Sequence, residues 1–289
     1  MKPGIYADLK REKYDRLEGV NFSTLKAMAK SPAHYRHALT QPHHDTDPMR
    51  LGRAVHLLAL EPEKARTTIA VWDGGTRRGK DWDRFCDENE GRELLTEEQH
   101  EKAMAMALAV RADATAKAYL SNGRGEVTMV WEHRVGTGPN PVVMPCRGRL
   151  DFEGDAAIVD LKCTLNASPE GFGKQAWNLG MHIQAAWYSD AHFKLTGRRL
   201  PYKLVAVENT APFVVQVYDV PENVIEVGRE SYVAWLDRLA FCRETSTWPA
   251  YWDGEQALTL PKWALGFDGD DADLSELTSG GESLGGVEP

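Results

Sequence analysis

The sequence predicts an α/β domain: a mixed central sheet of about five strands flanked by helices, with a helical N-terminal part. Three observations carry this. Apolar residues recur at helical spacing through the first 120 residues, and the pattern changes to period two after the SNGRG segment at 121–125. A helical stretch then separates a first group of three strands from two more. Helices on the faces of such a sheet cover the apolar surface that both faces expose.

The elements follow in order. Ser23 is a candidate cap for the helix NFSTLKAMAK, and Ser31-Pro32 ends it before a short helix AHYRHAL. A polar loop over 41–48 precedes MRLGRAVHLLALEP, where Leu51, Val55 and Leu58 fall on one helical face. The segment VWDGGTRRGKDWDRF is Gly-rich, basic and aromatic, without periodicity. Thr96 and Gln99 form a capping box for an Ala- and Met-rich helix running to about Leu120. EVTMVWEHRV, VVMPCRGRLDF and AAIVDLKCT then read as three consecutive strands. A helix from about Gln175 to Leu195 leads to the strands PYKLVAVEN and FVVQVYDV, and PENVIEVGRESYVAWLDRLAFCRE closes the body as a helix.

Residues 1–267 read as one domain, with the helical part to about 120 and the sheet core over 126–252. From Asp268 onward seven acidic residues and five glycines occur without a basic one, so 268–289 is expected to be a disordered acidic tail. Removing its seven charges from the formal −9 leaves −2 on residues 1–267. That excludes a protein that coats DNA through bulk charge, but not one with a local basic channel. Cys86, Cys146, Cys163 and Cys242 form no CxxC pair, so neither a zinc ribbon nor a disulfide framework is expected, and a reduced cytoplasm fits. No membrane partner is expected, since no apolar run reaches the ~18–20 residues of a span. Neither GxxxxGK[ST], GxSxG nor HExxH occurs.

The chemistry concentrates in RLDFEGDAAIVDLKC. A tight Gly154-Asp155 turn would make 153 and 156 the innermost hairpin pair, with 151 opposite 158 and diagonal to 160. Asp151, Asp160 and Lys162 then share one face, while Ala157, Val159 and Leu161 point to the other. Two carboxylates and an ammonium amid apolar strands are costly unless paired or metal-bound. Hard cations such as Mg²⁺ suit such a grouping, and Lys162 is placed to hold an attacking water. An ordinary Asp–Lys ion pair on an exposed face would leave the same pattern.

RLDFEGDAAIVDLKCT resembles the core motif of the PD-(D/E)XK nucleases, in which an Asp and an Asp-x-Lys from adjacent strands bind metal. Three further segments are similar to the RecE-type (exodeoxyribonuclease VIII-like) group, close to RecB-type nuclease domains. LGRAVHLLALEP looks like its Gly-x-x-x-His helix followed by Glu-Pro, IQAAWY like its Gln-x-x-x-Tyr signature, and NFSTLKAMAKSPAHY like its helix with a Ser-Pro-x-x-Tyr ending. The resemblance runs through most of 20–252. Gly52, one turn before His56, would let that helix approach the sheet, although a lone His on an apolar helix is commonly a core residue. Gln184 and Tyr188 share a helix face, where simple packing on the sheet is the alternative.

The resemblance implies a Mg²⁺- or Mn²⁺-dependent exodeoxyribonuclease with two ions per site. His56, Asp151 and Asp160 would hold metal, with the Leu161 carbonyl as a candidate backbone ligand. Lys162 would orient the nucleophilic water, and Gln184 and Tyr188 would support the substrate phosphate. Glu126 resembles a glutamate that the family places near the metals, though a strand-end Glu is commonly solvated. Arg77, Arg78 and Lys80, near Trp72 and Trp82, suit single-strand backbone contact and stacking, or form a surface loop. Arg147 and Arg149 are candidate phosphate contacts, or simply line their strand. Glu208 reads as structural or solvated. The resemblance further implies 5′→3′ digestion of linear duplex DNA from an end, leaving 3′ strands for recombination by annealing. A ring-like homo-oligomer, a single-strand annealing partner, and a bacterial or phage-encoded origin go with it. The alternatives are a RecB-like nuclease of other polarity or single-strand preference, and a DNA-binding module whose site has decayed.

Overall fold

The computed structural model describes residues 1–41, 45–136, 141–251 and 254–260. The chain divides into two compact units, Met1–Ala250 and Tyr251–Pro289. The described residues of the second contain no helix or strand, and the acidic tail expected over 268–289 lies outside the described residues.

In the first unit, strand β1 (Gly4–Tyr6) and helix α1 (Arg11–Asp15) precede α2 (Phe22–Leu25), a 3-10 turn over Lys26–Ala29, and α3 (Pro32–Ala38). Asn21, not Ser23, caps α2: its side chain accepts from the Thr24 N–H at 3.0 Å, and Ser23 lies inside the helix. Ser31-Pro32 does end the first helical segment, and Ser31 also caps α3, whose first turn takes in Pro32. Helix α4 (Asp47–Leu60) starts inside the predicted loop, of which 42–44 lie outside the described residues. It is followed by α5 (Pro62–Thr68), β2 (Ile69–Trp72), α6 (Lys80–Glu88) and β3 (Glu93–Thr96). Strands β2 and β3 form a separate two-stranded parallel sheet, so the segment without visible periodicity contains a strand and a helix. The Thr96–Gln99 capping box opens α7 (Glu97–Ala112) as expected. Asp113 breaks the long helix by leaving the helical conformation and capping α8 (Ala114–Leu120) through the Ala116 N–H at 2.7 Å.

The main sheet has six strands, because β1 adds an edge strand that three residues could not announce. Its other members are β4 (Gly123–Val135), β5 (Val142–Gly154), β6 (Ile158–Thr164), β7 (Tyr202–Glu208) and β8 (Val215–Val220), in the order β1-β4-β5-β6-β7-β8. All neighbours are antiparallel except β6 and β7. The parallel pair requires a crossover, which α9 (Pro169–Asn178) and α10 (Met181–Thr196) supply. Gly180, at φ +66°, divides what the apolar pattern presented as one helix. Helix α11 (Glu222–Thr245) crosses α10 at Gly228, where a Cβ would stand 2.3 Å from the His182 carbonyl oxygen.

Two cores sandwich the sheet. Ile158, Leu204 and Ala206 pack with α10 and α11, whereas Val159, Leu161, Val205 and Val207 pack with α4 and α7. The alternation predicted for β6 therefore holds. In β5 it breaks: Leu150 joins the first core and Phe152 the second, although with only Asp151 between them they should share a face. The faces switch at Asp151, opposite Glu126, whose backbone has φ +54°. No helix among the described residues is long and apolar enough to cross a membrane.

Candidate active site

The hairpin register differs from the expected one by two residues. Phe152 pairs with Val159 and Glu153 with Ile158, and the Gly154 N–H donates to the Ala157 carbonyl across a wider loop. Neither Gly154 nor Asp155 takes the positive φ that a type I′ turn requires. Extended one step past the Phe152–Val159 pair, the observed register sets Asp151 across from Asp160 rather than diagonal to it. Beyond Phe152 the ladder gives way to a side chain: the Asp151 carboxylate accepts from the Leu161 N–H at 2.9 Å. On the other side, Gly125 pairs with Phe152 and Val127 with Leu150, which sets Glu126 opposite Asp151. Three carboxylates from three adjacent strands thus stand in one row: Glu126, Asp151 and Asp160.

His56 reaches this row from α4. Its Nε2 lies 2.8 Å from the Leu161 carbonyl and its Nδ1 3.6 Å from Asp151 Oδ1. A carbonyl only accepts, which assigns the ring proton to Nε2 and leaves the Nδ1 lone pair facing the carboxylates. Leu161, expected as a metal ligand, here orients the imidazole. Burial holds His56 below its ordinary pKa, keeping it neutral. Gly52 plays no part in the approach: a Cβ there would meet nothing within 4 Å. Ala54, Val55 and Ala59 form the buried face instead.

Ligand atoms of His56, Glu126 and Asp151 all lie within 4.8 Å of one another. Asp160 stands behind them, 2% exposed, with Oδ2 2.7 Å from Lys162 Nζ. That approach is off the hydrogen-bonding direction, so Oδ2 is buried without a hydrogen bond. Lys162 Nζ also donates to Gln184 Oε1 at 3.0 Å. Burial, then repulsion from Asp160, pushes the Asp151 carboxyl well above the ordinary carboxylate range. Burial alone would lower the Lys162 ammonium, but Asp160 and Asp151 together outweigh it and raise it. One neutral imidazole and two carboxylates within reach, with the Asp160–Lys162 ion pair behind them, are a donor set suited to a hard divalent cation.

Tyr188 borders the site from α10, with its phenol pushed up by burial. Its ring occupies the place where a side chain at position 148 would be: a Cβ on Gly148 would lie 2.7 Å from Tyr188 Cε1. Gly148→Ala is therefore expected to displace the Tyr188 ring and cut turnover roughly tenfold or more. Mg²⁺ affinity, measured by titration, should not change, because no metal-facing side chain moves.

The site opens into a cleft of about 1380 Å³. Its lining mixes both signs: Lys10, Arg11, Arg77, Arg92 and Arg149 contribute positive charge, while Arg50 and Arg53 are paired with Asp45 and Glu93. Of the basic residues expected to meet DNA, Arg77 lines the cleft, bound to Asp47 at 2.9 Å, with its guanidinium 5.7 Å from the Trp82 ring centre. Arg78 and Lys80 are exposed outside its lining. Trp72 and Trp82 pack on each other at 5.5 Å and on Phe85, so they form a local aromatic cluster. Arg147 donates to the Tyr14 carbonyl and stacks on its ring at 4.7 Å, pinning the N-terminal segment. Arg149 lies 2.6 Å from Glu126 and 5.8 Å from the same ring. Glu208 is structural, accepting from the Ala167 N–H at 2.9 Å. Tyr14, in the cleft wall, was not foreseen; nothing near it in sequence signals contacts with residues more than 130 positions away.

Residues 21–259 match the family described as PDDEXK-like domain of unknown function (DUF3799). The fold is similar to the crystal structure of a "Putative exonuclease" from Eubacterium rectale, with a TM-score of 0.60 and 16% identity over 94% of this chain and 99% of that one. The crystal structure of SSO0001 covers 73% of this chain and 84% of its own at 14% identity, but its TM-score of 0.28 carries no weight. No curated protein matches the chain.

Proposed function

The chain belongs to the PDDEXK-like domain family DUF3799, and from that premise we propose that it is a metal-dependent exodeoxyribonuclease acting on linear duplex DNA. The observation that carries the reading is the cluster of His56, Glu126 and Asp151 in the cleft wall, backed by the Asp160–Lys162 pair behind it. Mg²⁺ or Mn²⁺ is the proposed cofactor, two ions per site, held by His56, Asp151 and Asp160 with Glu126 completing the set. Bound there, the metal would supply Lewis-acid activation of water and of the scissile phosphate.

The protein's own groups do the rest. Lys162, kept protonated by Asp160 and Asp151, holds the attacking water and offsets negative charge developing on the phosphate. Gln184 fixes the ammonium through its Oε1, and Tyr188 offers a protonated phenol toward a phosphate oxygen. The cleft lining draws in the DNA backbone. Digestion in the 5′→3′ direction, a homo-oligomeric ring, a single-strand annealing partner and a cytoplasmic setting are supported by the RecE-type resemblance in sequence.

End-labelled linear and closed circular duplexes, incubated with Mg²⁺ or chelator, test the reading. Metal-dependent loss of linear DNA alone is expected, and blocking one 5′ end should protect the strand that starts there. Equal cutting of circles would make the protein an endonuclease. Binding without cutting would leave a decayed module, and degradation from 3′ ends or of single strands would favour the RecB-like alternative.

A further inference from the structure

Arg149, beside the metal-ligand cluster, has surroundings that do not close. Its Nε lies 2.6 Å from Glu126 Oε2, but off the N–H direction. Nε–H and Nη1–H are therefore buried with no acceptor among the described residues. Donors left so cost free energy unless something else uses them. The guanidinium lies over Tyr14 and borders the cleft beside Asp151. Glu126 is equally unsettled: it takes a backbone conformation that side chains disfavour, and it faces both Arg149 and the His56–Asp151 pair. One carboxylate thus has two competing positive partners, the guanidinium and any cation held by the cluster.

We propose that Glu126 and Arg149 form an exchange pair that couples metal loading to substrate grip. Without metal, Arg149 neutralises Glu126. With the cation site filled, Glu126 turns its charge to the cluster, and Arg149 offers its idle donors to a phosphate oxygen of the DNA. Each idle N–H belongs to a permanently charged group, and a charge-assisted hydrogen bond to phosphate is stronger than a neutral one. Arg149 is thus a positioning residue that also holds substrate. The proposal rests on the nuclease reading above.

Mn²⁺ binding to the free protein by calorimetric titration, and duplex binding in Ca²⁺, test it. Arg149→Met is expected to bind Mn²⁺ more tightly, by about tenfold, because one adjacent positive charge is gone. Damage to the fold would not tighten metal binding. The same variant should bind duplex DNA more weakly, with the salt slope reduced by about 1. Arg149→Gln carries the same expectations with a polar stem, should Arg149→Met fold poorly in a thermal melt. Unchanged or weaker Mn²⁺ binding in both variants would overturn the exchange, as would unchanged duplex affinity. If wild type binds Mn²⁺ no better than Asp151→Asn does, the metal site and the nuclease reading fall, and the exchange with them. Normal wild-type binding without tightening in the variants sinks the exchange alone.

Discussion

Replacing Lys162 by glutamine is expected to lower DNA cleavage about 10²–10³-fold, the usual effect of deleting one group aimed at developing charge. The interpretation depends on separating that loss from instability. Lys162 is half-buried, its ammonium between the buried Asp160 Oδ2 at 2.7 Å and Gln184 Oε1 at 3.0 Å. Removing one member of a buried pair leaves the other charge uncompensated, at a typical cost of ~3–5 kcal/mol. Glutamine keeps most of the stem and can donate to Asp160, so Lys162→Gln should fold with a lowered melting temperature. Adding Asp160→Asn removes the stranded charge and should return much of the lost stability. It should return none of the activity. Melting curves and cleavage rates for both variants decide the matter. Activity within tenfold of wild type in the single variant would remove Lys162 from the reaction, and recovery in the double variant would reduce its role to structural pairing.

The same local rules explain what the sequence made legible. The strand patterns of β4–β8 and the capping box at Thr96 act between near neighbours, so they could be read directly. The Asp–Asp–Lys grouping was legible because a hairpin fixes faces, and a two-residue slip in register leaves faces intact. That tolerance also hid the slip. The helix breaks at Asp113 and Gly180 lie inside continuous apolar patterns, where a single backbone conformation decides. Glu126 was read mainly as a strand-end glutamate, which is commonly solvated. Its place beside His56 and Asp151 goes with a left-handed backbone at φ +54°, which no neighbour in sequence encodes. Tyr14 and the cleft wall it belongs to arise only from tertiary contact.

Asp151→Asn is expected to abolish both Mg²⁺ binding and the pH dependence of Mg²⁺ stabilisation. Burial and the neighbouring Asp160 raise the Asp151 pKa in the metal-free fold. The folded protein therefore keeps a proton that the unfolded chain, with an ordinary carboxylate near ~3.9, has released. Its stability falls as pH rises from that value, until the folded carboxyl has itself ionised. A cation needs the carboxylate form, so protons compete with it across this window and cease to compete above it. His56 has the opposite sign. Burial lowers its pKa, so it is already neutral when the unfolded imidazole is charged, and it releases no proton to a metal above that range. The Mg²⁺-induced rise in melting temperature should thus grow as pH rises above the ordinary carboxylate value, until the folded Asp151 carboxyl has itself ionised. At a hundredfold excess over the dissociation constant, binding contributes ~2.7 kcal/mol, or roughly 5–10 °C for a domain of this size. Asp151→Asn cannot ionise, so its metal-free stability should lose this decline with pH and Mg²⁺ should move its melting point at no pH. A stabilisation by Mg²⁺ that is flat with pH in wild type would detach the carboxyl proton from metal binding. One that persists in Asp151→Asn would locate the ion elsewhere.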